Sequence, residues 1–123
     1  MNDLTVVIAS IDSTRSLGQC LRHLELACEG LRTEVIVVDA SQGSAADRVR
    51  AICGPVRLLQ RPAGTLAPLL WAAGLEQSTG RVVAFSTGHC LVSPGWAAAL
   101  LRAIDEGATG AGGPLVIAQG TTP

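Results

Sequence analysis

Lysine is missing from this chain altogether: all nine of its cations are arginines. That excludes Schiff-base chemistry on an ε-amine. It also excludes a P-loop, whose GxxxxGK[ST] motif needs the lysine, and a receiver domain built on one. Tyrosine is absent too, and one phenylalanine and two tryptophans make up an aromatic share of 2%. The core must therefore be assembled from Val, Leu, Ile and Ala. No basic cluster interrupts a net charge of −1, so the electrostatic footprint of a nucleic-acid binder is lacking. The four cysteines, Cys20, Cys28, Cys53 and Cys90, form no CxxC pair. With no signal-peptide pattern ahead of them, they read as reduced thiols of a cytoplasmic protein, with neither a zinc site nor a disulfide framework.

Long membrane-compatible runs are also wanting. The uncharged stretch from Val82 to Leu101 has the length of a span but contains Gly88, His89, Pro94 and Gly95. It reads as strand, turn and helix, and no transmembrane segment is expected. What is plentiful is aliphatic: the 123 residues are 48% hydrophobic with a mean hydropathy of +0.39. A chain of this size buries roughly two thirds of its unfolded surface.

Four short β-rich runs recur along it: "LTVVIAS" (Leu4–Ser10), "TEVIVVDAS" (Thr33–Ser41), "VRLLQ" (Val56–Gln60) and "RVVAFS" (Arg81–Ser86). Apolar residues on consecutive positions suit strands covered on both faces, as in a parallel sheet. Helical patterns lie between them. Ser13 or Thr14 is placed to cap a helix carrying Leu17, Leu21, Leu24 and Cys28 on one face, with Gly30 as its stop. Ser44 heads a shorter helix with Val49 and Ile52, ended by Gly54-Pro55. A third spans about Leu66–Ser78 with Pro68 in its first turn, and a fourth starts at Pro94 with Trp96, Leu100 and Ile104 on one face. Beyond Gly107 the chain is glycine-rich around one further candidate strand, Leu115–Ala118. The alternation predicts an α/β fold of three layers, α/β/α, around a mostly parallel sheet with right-handed crossovers.

The first strand-to-helix turn, "ASIDST", contains no glycine. A dinucleotide-binding Rossmann domain needs its GxGxxG at that point, so this class is excluded. "GATGAGG" is glycine-rich, but it precedes a strand and opens no helix. What stands at the strand ends is polar: Ser10 and Asp12, then Asp39 and Ser41, then Ser86, Thr87 and His89. If the strands adjoin, these groups converge at the carboxyl edge of the sheet, where α/β proteins bind ligands.

In order and spacing the chain resembles the family-2 glycosyltransferases of GT-A fold. "LTVVIASIDSTRSLGQCLRHL" is similar to the opening strand, turn and helix of that family, and "TEVIVVDAS" to its second strand, which ends in aspartate. "AGTLAPLLWAAGLEQSTGRVVAF" is similar to its Gly-Leu helix and fourth strand, and "FSTGHCLVSPGWAAALL" to its DXD segment and the helix after it. The resemblance runs from residue 4 to about 118. It implies a GT-A-like domain, 1–123, that binds a nucleoside-diphosphate sugar and lacks the acceptor half. It implies Asp39 on the nucleoside, Ser10, Asp12 and Ser41 lining its pocket, and Thr87 and His89 facing the diphosphate. It further implies a divalent metal, Mn²⁺ or Mg²⁺, with His89 standing where a metal-holding aspartate is usual.

The departures bear on that chemistry. Thr87, Gly88 and His89 replace the DXD, so both aspartates are gone, and Trp71-Ala72 replaces a common Arg-Asn pair. Neutral imidazole prefers softer metals and brings no negative charge, which counts against the ion. Protonated, it could itself pair with a phosphate. Cys90 reads as a small buried hydrophobe, His23 as a surface residue, and Trp71 and Trp96 as core. No acceptor-activating base is visible, so no catalytic residue is assigned. Three expectations result: the donor-binding half of a glycosyltransferase acting on an unknown acceptor; a non-catalytic nucleotide-binding module of the same fold; and a domain whose C-terminal sheet edge docks a partner chain or a second copy.

Overall fold

The fold is a computed structural model in which residues 2–11, 15–41, 49 and 56–110 are described. Four strands form within the β-branched runs: β1 (Leu4–Ser10), β2 (Thr33–Asp39), β3 (Val56–Gln60) and β4 (Val82–Thr87). They join in one sheet in the order β3-β2-β1-β4, every neighbouring pair parallel. β1 is central and all seven of its residues are buried, whereas β3 has none buried. The continuous apolar run thus marks the strand covered on both faces.

Three helices are described: α1 (Leu17–Ala27), α2 (Ala67–Glu76) and α3 (Trp96–Asp105). α1 and α3 pack on one face through Leu17, Leu21, Leu24, Ala97 and Leu101, against Leu4, Val6, Ile8 and Val37. α2 covers the other face, where Leu70 meets Val7, Ala9, Ile36 and Val38. The two faces take alternate residues of each strand, as the pleat requires. β1–α1–β2 and β3–α2–β4 progress in opposite directions across the sheet with their helices on opposite faces. A common crossover hand requires that arrangement. The predicted three-layer α/β architecture is therefore the observed one.

Several boundaries differ from expectation. α1 opens at Leu17 behind Ser16, whose side chain makes no capping bond to the helix; Ser13 and Thr14 lie outside the described residues. Gly30 does end that segment, at φ 79°. α3 begins at Trp96 after a Pro94-Gly95 turn, two residues later than predicted. Its buried stripe is Ala97 and Leu101, with Trp96 and Leu100 only half-buried beside it. The buried face is thus rotated by one residue from the expected one. The helix expected after Ser44 and the strand expected at Leu115–Ala118 fall outside the described residues, apart from Val49, which is helical and packs on the α1 side.

The amino edge of the sheet carries a buried polar knot. Glu34 Oε1 accepts from the Thr5 hydroxyl at 3.0 Å, the Thr79 N–H at 3.0 Å and the Thr79 hydroxyl at 3.1 Å. Gly80 N–H donates to Thr5 Oγ1 at 2.8 Å, and Arg57 lies 3.6 Å from the second carboxylate oxygen. This knot ties β1, β2 and the α2–β4 link at the end opposite the candidate site. A buried carboxylate is tolerated there because its lone pairs are satisfied.

Candidate donor site

Chain order reverses at β1: the chain moves from β1 outward to β2 and β3, then crosses to β4 on β1's other side. The topological switch point is thus between β1 and β4, and ligands bind outside the carboxyl ends of strands there. Register defines what meets at that edge. Ser10 stands opposite Asp39, Ala9 opposite Thr87, and Asp39 opposite Gln60. β2 and β4 flank β1, so their ends lie about 10 Å apart, two interstrand spacings.

Each predicted residue has a definite environment. Ser10 and Asp39 are 0% and 1% exposed. By strand alternation both point to the α1 face, with Ile8 and Val37. The Asp39 carboxylate accepts from the Ser41 hydroxyl at 2.8 Å, and the Asp39 carbonyl accepts from Arg61 N–H at 2.8 Å. In this form Asp39 is shielded, so contact with a nucleoside requires it to be uncovered. Asp12 lies outside the described residues. Ile11 is 42% exposed on the rim.

Across the switch point, Gly88 N–H continues the ladder by donating to the Ala9 carbonyl at 3.1 Å. The turn beyond it is half-buried at Thr87 and exposed at His89. One residue that was not singled out from sequence, Ser16, joins it to α1. The Ser16 hydroxyl donates to the Gly88 carbonyl at 2.8 Å and stands 3.3 Å from His89 Nδ1. Exposed Arg15 immediately precedes it. Ser16's position just ahead of an apolar helical period was the available signal, but the preceding Ser13 and Thr14 offered equally good caps.

Two thiols meet at Thr87. Cys20 Sγ on α1 lies 3.6 Å from the Thr87 carbonyl, and the Thr87 hydroxyl lies 3.4 Å from Cys90 Sγ. Burial pushes the Cys20 thiol up to about 12, with Cys90 adding to the rise. The Thr87 hydroxyl holds the half-buried Cys90 thiol below its ordinary 9.0 despite opposing desolvation. Behind the turn, Trp71 N–H donates to the Ser86 carbonyl at 2.9 Å, and its ring tilts against Phe85 with centroids 5.9 Å apart. Trp71 is half-buried and anchors β4 to α2, a more specific role than the core packing expected of it. His23 is exposed, as read from sequence.

The donor set at β4 consists of hydroxyls, a thiol and an imidazole. Mg²⁺ and Mn²⁺ take carboxylate oxygens, and the chain has none from Val82 to Ile104. Among the described residues no three His, Cys, Asp or Glu are grouped to hold a metal ion. These residues do not fit the ion.

A parallel sheet in the order β3-β2-β1-β4, layered by helices and ending in polar groups at its switch point, is a GT-A-like α/β arrangement. The Glycosyl transferase family 2 model matches residues 5–123, and the chain belongs to that family. Among solved structures it is similar to S. aureus TarS 1-349, with a TM-score of 0.75 and 18% identity. That likeness covers 92% of this chain and 38% of the other. A second S. aureus TarS structure gives a TM-score of 0.73 and 19% identity over 85% of this chain and 20% of that one. At such identities the likeness is one of fold, and the chain spans well under half of either structure. No curated protein matches the chain. No described helix is long and apolar enough to cross a membrane.

Proposed function

We propose that the chain is the donor-binding portion of a glycosyltransferase, holding a nucleoside-diphosphate sugar whose sugar passes to an acceptor. The observation that carries this reading is the meeting of strand ends at one sheet edge: Ser10 beside Asp39 on the α1 side, and Thr87, which lies with Ala9 on the α2 side, one strand further on. Asp39, once uncovered, accepts from the nucleoside, with Ser10 and Ser41 beside it; Asp12, expected in the same pocket, lies outside the described residues. Thr87 and His89 lie toward the diphosphate. The roughly 10 Å between the ends of β2 and β4 suits a ligand with a nucleoside at one end and two phosphates at the other. Free thiols at Cys20, Cys28 and Cys90 agree with a reducing, cytoplasmic setting.

The test is a two-dimensional amide NMR titration with UDP and GDP. Shifts concentrated near Asp39 and near His89 are expected; none at millimolar nucleotide would refute the reading.

A second reading, a non-catalytic module that keeps nucleotide affinity, is favoured by the carboxylate-free turn after β4. It separates from the first by turnover. Release of free nucleoside diphosphate from a sugar donor, above the rate without protein, supports the enzyme. The C-terminal sheet edge expected to dock a partner chain or a second copy involves Leu115–Ala118, outside the described residues.

A further inference from the structure

The turn after β4 presents a problem of charge. A nucleoside diphosphate brings two to three negative charges to a rim that offers no carboxylate cage for a counter-ion. We infer that this site grips the diphosphate with its own cations, Arg15 and a His89 held in place by Ser16, and does so without a divalent metal ion. The inference rests on the donor-site reading above and specifies how that site recognises its ligand.

The hydrogen bonds define the imidazole. A serine hydroxyl has one proton, and that of Ser16 is directed at the Gly88 carbonyl at 2.8 Å. In the 3.3 Å contact with His89 Nδ1, the Ser16 oxygen is therefore the acceptor and Nδ1 carries the hydrogen. Nε2 is left as the outward atom of an exposed side chain. A phosphate oxygen at Nε2 is met by a charge-assisted hydrogen bond only from the doubly protonated ring, in which Nδ1–H remains on Ser16.

Arg15 supplies the permanent charge. It immediately precedes Ser16, is exposed, and forms no ion pair within the described residues. The other described arginine on this rim, Arg61, folds back to its neighbour's carbonyl, donating to Gln60 O at 2.9 Å. A guanidinium presents a planar fork that matches two phosphate oxygens. Together with protonated His89 it brings two positive charges, the number a divalent ion would have brought. The N–H groups opening α1 at Leu17 lie on the same edge and add to the positive potential.

The test is titration of the full chain with UDP and GDP, followed by amide NMR and calorimetry, in EDTA and again with excess Mg²⁺. Equal affinity in the two media is expected. Arg15→Gln and His89→Gln should each weaken it roughly tenfold, the loss of one charge-assisted hydrogen bond. Ser16 is a positioning residue. In wild-type protein the imidazole ¹⁵N spectrum should show neutral His89 protonated at Nδ1. Ser16→Ala should release that form and weaken binding, and Ser16→Thr should restore both. Affinity that develops only with Mg²⁺, or Arg15 and His89 variants that bind like wild type, would overturn the inference and leave the donor-site reading standing. No response to either nucleotide in either medium would overturn the reading itself, and the inference with it.

Discussion

Replacing Gly74 with alanine sets two effects of opposite sign against each other, and the structure decides between them. Gly74 lies in the last turns of α2 and faces β1. On helix propensity alone, Gly→Ala stabilises by about 1 kcal/mol. A Cβ at this position, however, would overlap Val7 Cγ1, lie 3.0 Å from Cγ2 and 3.2 Å from Cβ. Val7 is 0% exposed, in the middle of the central strand, between Ile36 and Phe85 in register. A β-branched side chain in a strand has few rotamers to escape into, so α2 must lift or the valine must strain. Overpacking of this kind costs about 1–3 kcal/mol.

The severe overlap with Val7 Cγ1 puts the cost in the upper part of that range, about 2–3 kcal/mol. The net expectation is therefore a loss of about 1–2 kcal/mol, seen as a lowered urea midpoint with an unchanged slope. Val7→Ala removes the obstructing methyls and is itself destabilising, by about 2 kcal/mol, through the lost burial and the cavity. Once that space is open, adding the Gly74 methyl should cost little or help. The double variant should then be more stable than the two single losses predict, with a coupling of about 1 kcal/mol or more. Circular dichroism melts of the four proteins measure the cycle. A Gly74→Ala protein as stable as wild type, or additive behaviour in the double variant, would show that α2 does not pack on Val7 as described.

Two further outcomes are expected. Burial alone would raise the Glu34 carboxyl, but the Thr79 N–H, the Thr5 and Thr79 hydroxyls and Arg57 outweigh it and hold it below 4.5. Its folded-state value is thus the lower one, so its stabilisation is fully present above 4.5 and is lost as pH falls through that lowered value. Asp3, held down by Arg32, acts in the same direction from the surface. Urea melts from neutral pH to below 4.5 should show this loss, and Glu34→Gln should flatten it; an unchanged profile would refute the knot's role. For the thiols, Cys90 should react with iodoacetamide well before Cys20, whose thiol is pushed to about 12. Thr87→Val should slow Cys90, and equal rates at Cys20 and Cys90 in the folded protein would contradict the geometry.

Much of the fold was legible because it rests on local signals. The β-branched runs became strands within a residue or two of their predicted ends, since period and turn chemistry act over a few neighbours. Helix starts were less legible. Ser13, Thr14 and Ser16 are all sound cap residues, and only the packing of Leu17 under the sheet selects where α1 opens. The rotated face of α3 has a similar origin: Trp96 and Ala97 both fit a helical period, and only the tertiary packing selects Ala97 for burial.

At the site, legibility divides by sequence distance. Ser10, Asp39 and Thr87 could be named from strand ends alone, because parallel order brings such ends together whatever the loops do. Ser16 could not: its partners Gly88 and His89 are 72 and 73 residues away, and nothing local distinguishes it from a cap. The role proposed for Arg15 was out of reach for the same reason, since it is argued from what Ser16 touches. A search of the β4 turn for metal-binding carboxylates would reject this chain as a donor binder. On the proposed reading, the charge required there comes instead from the segment that opens α1. On that reading a substitution at the β4 turn is interpretable only together with residues 15 and 16, because the Ser16 hydroxyl ties the two segments together.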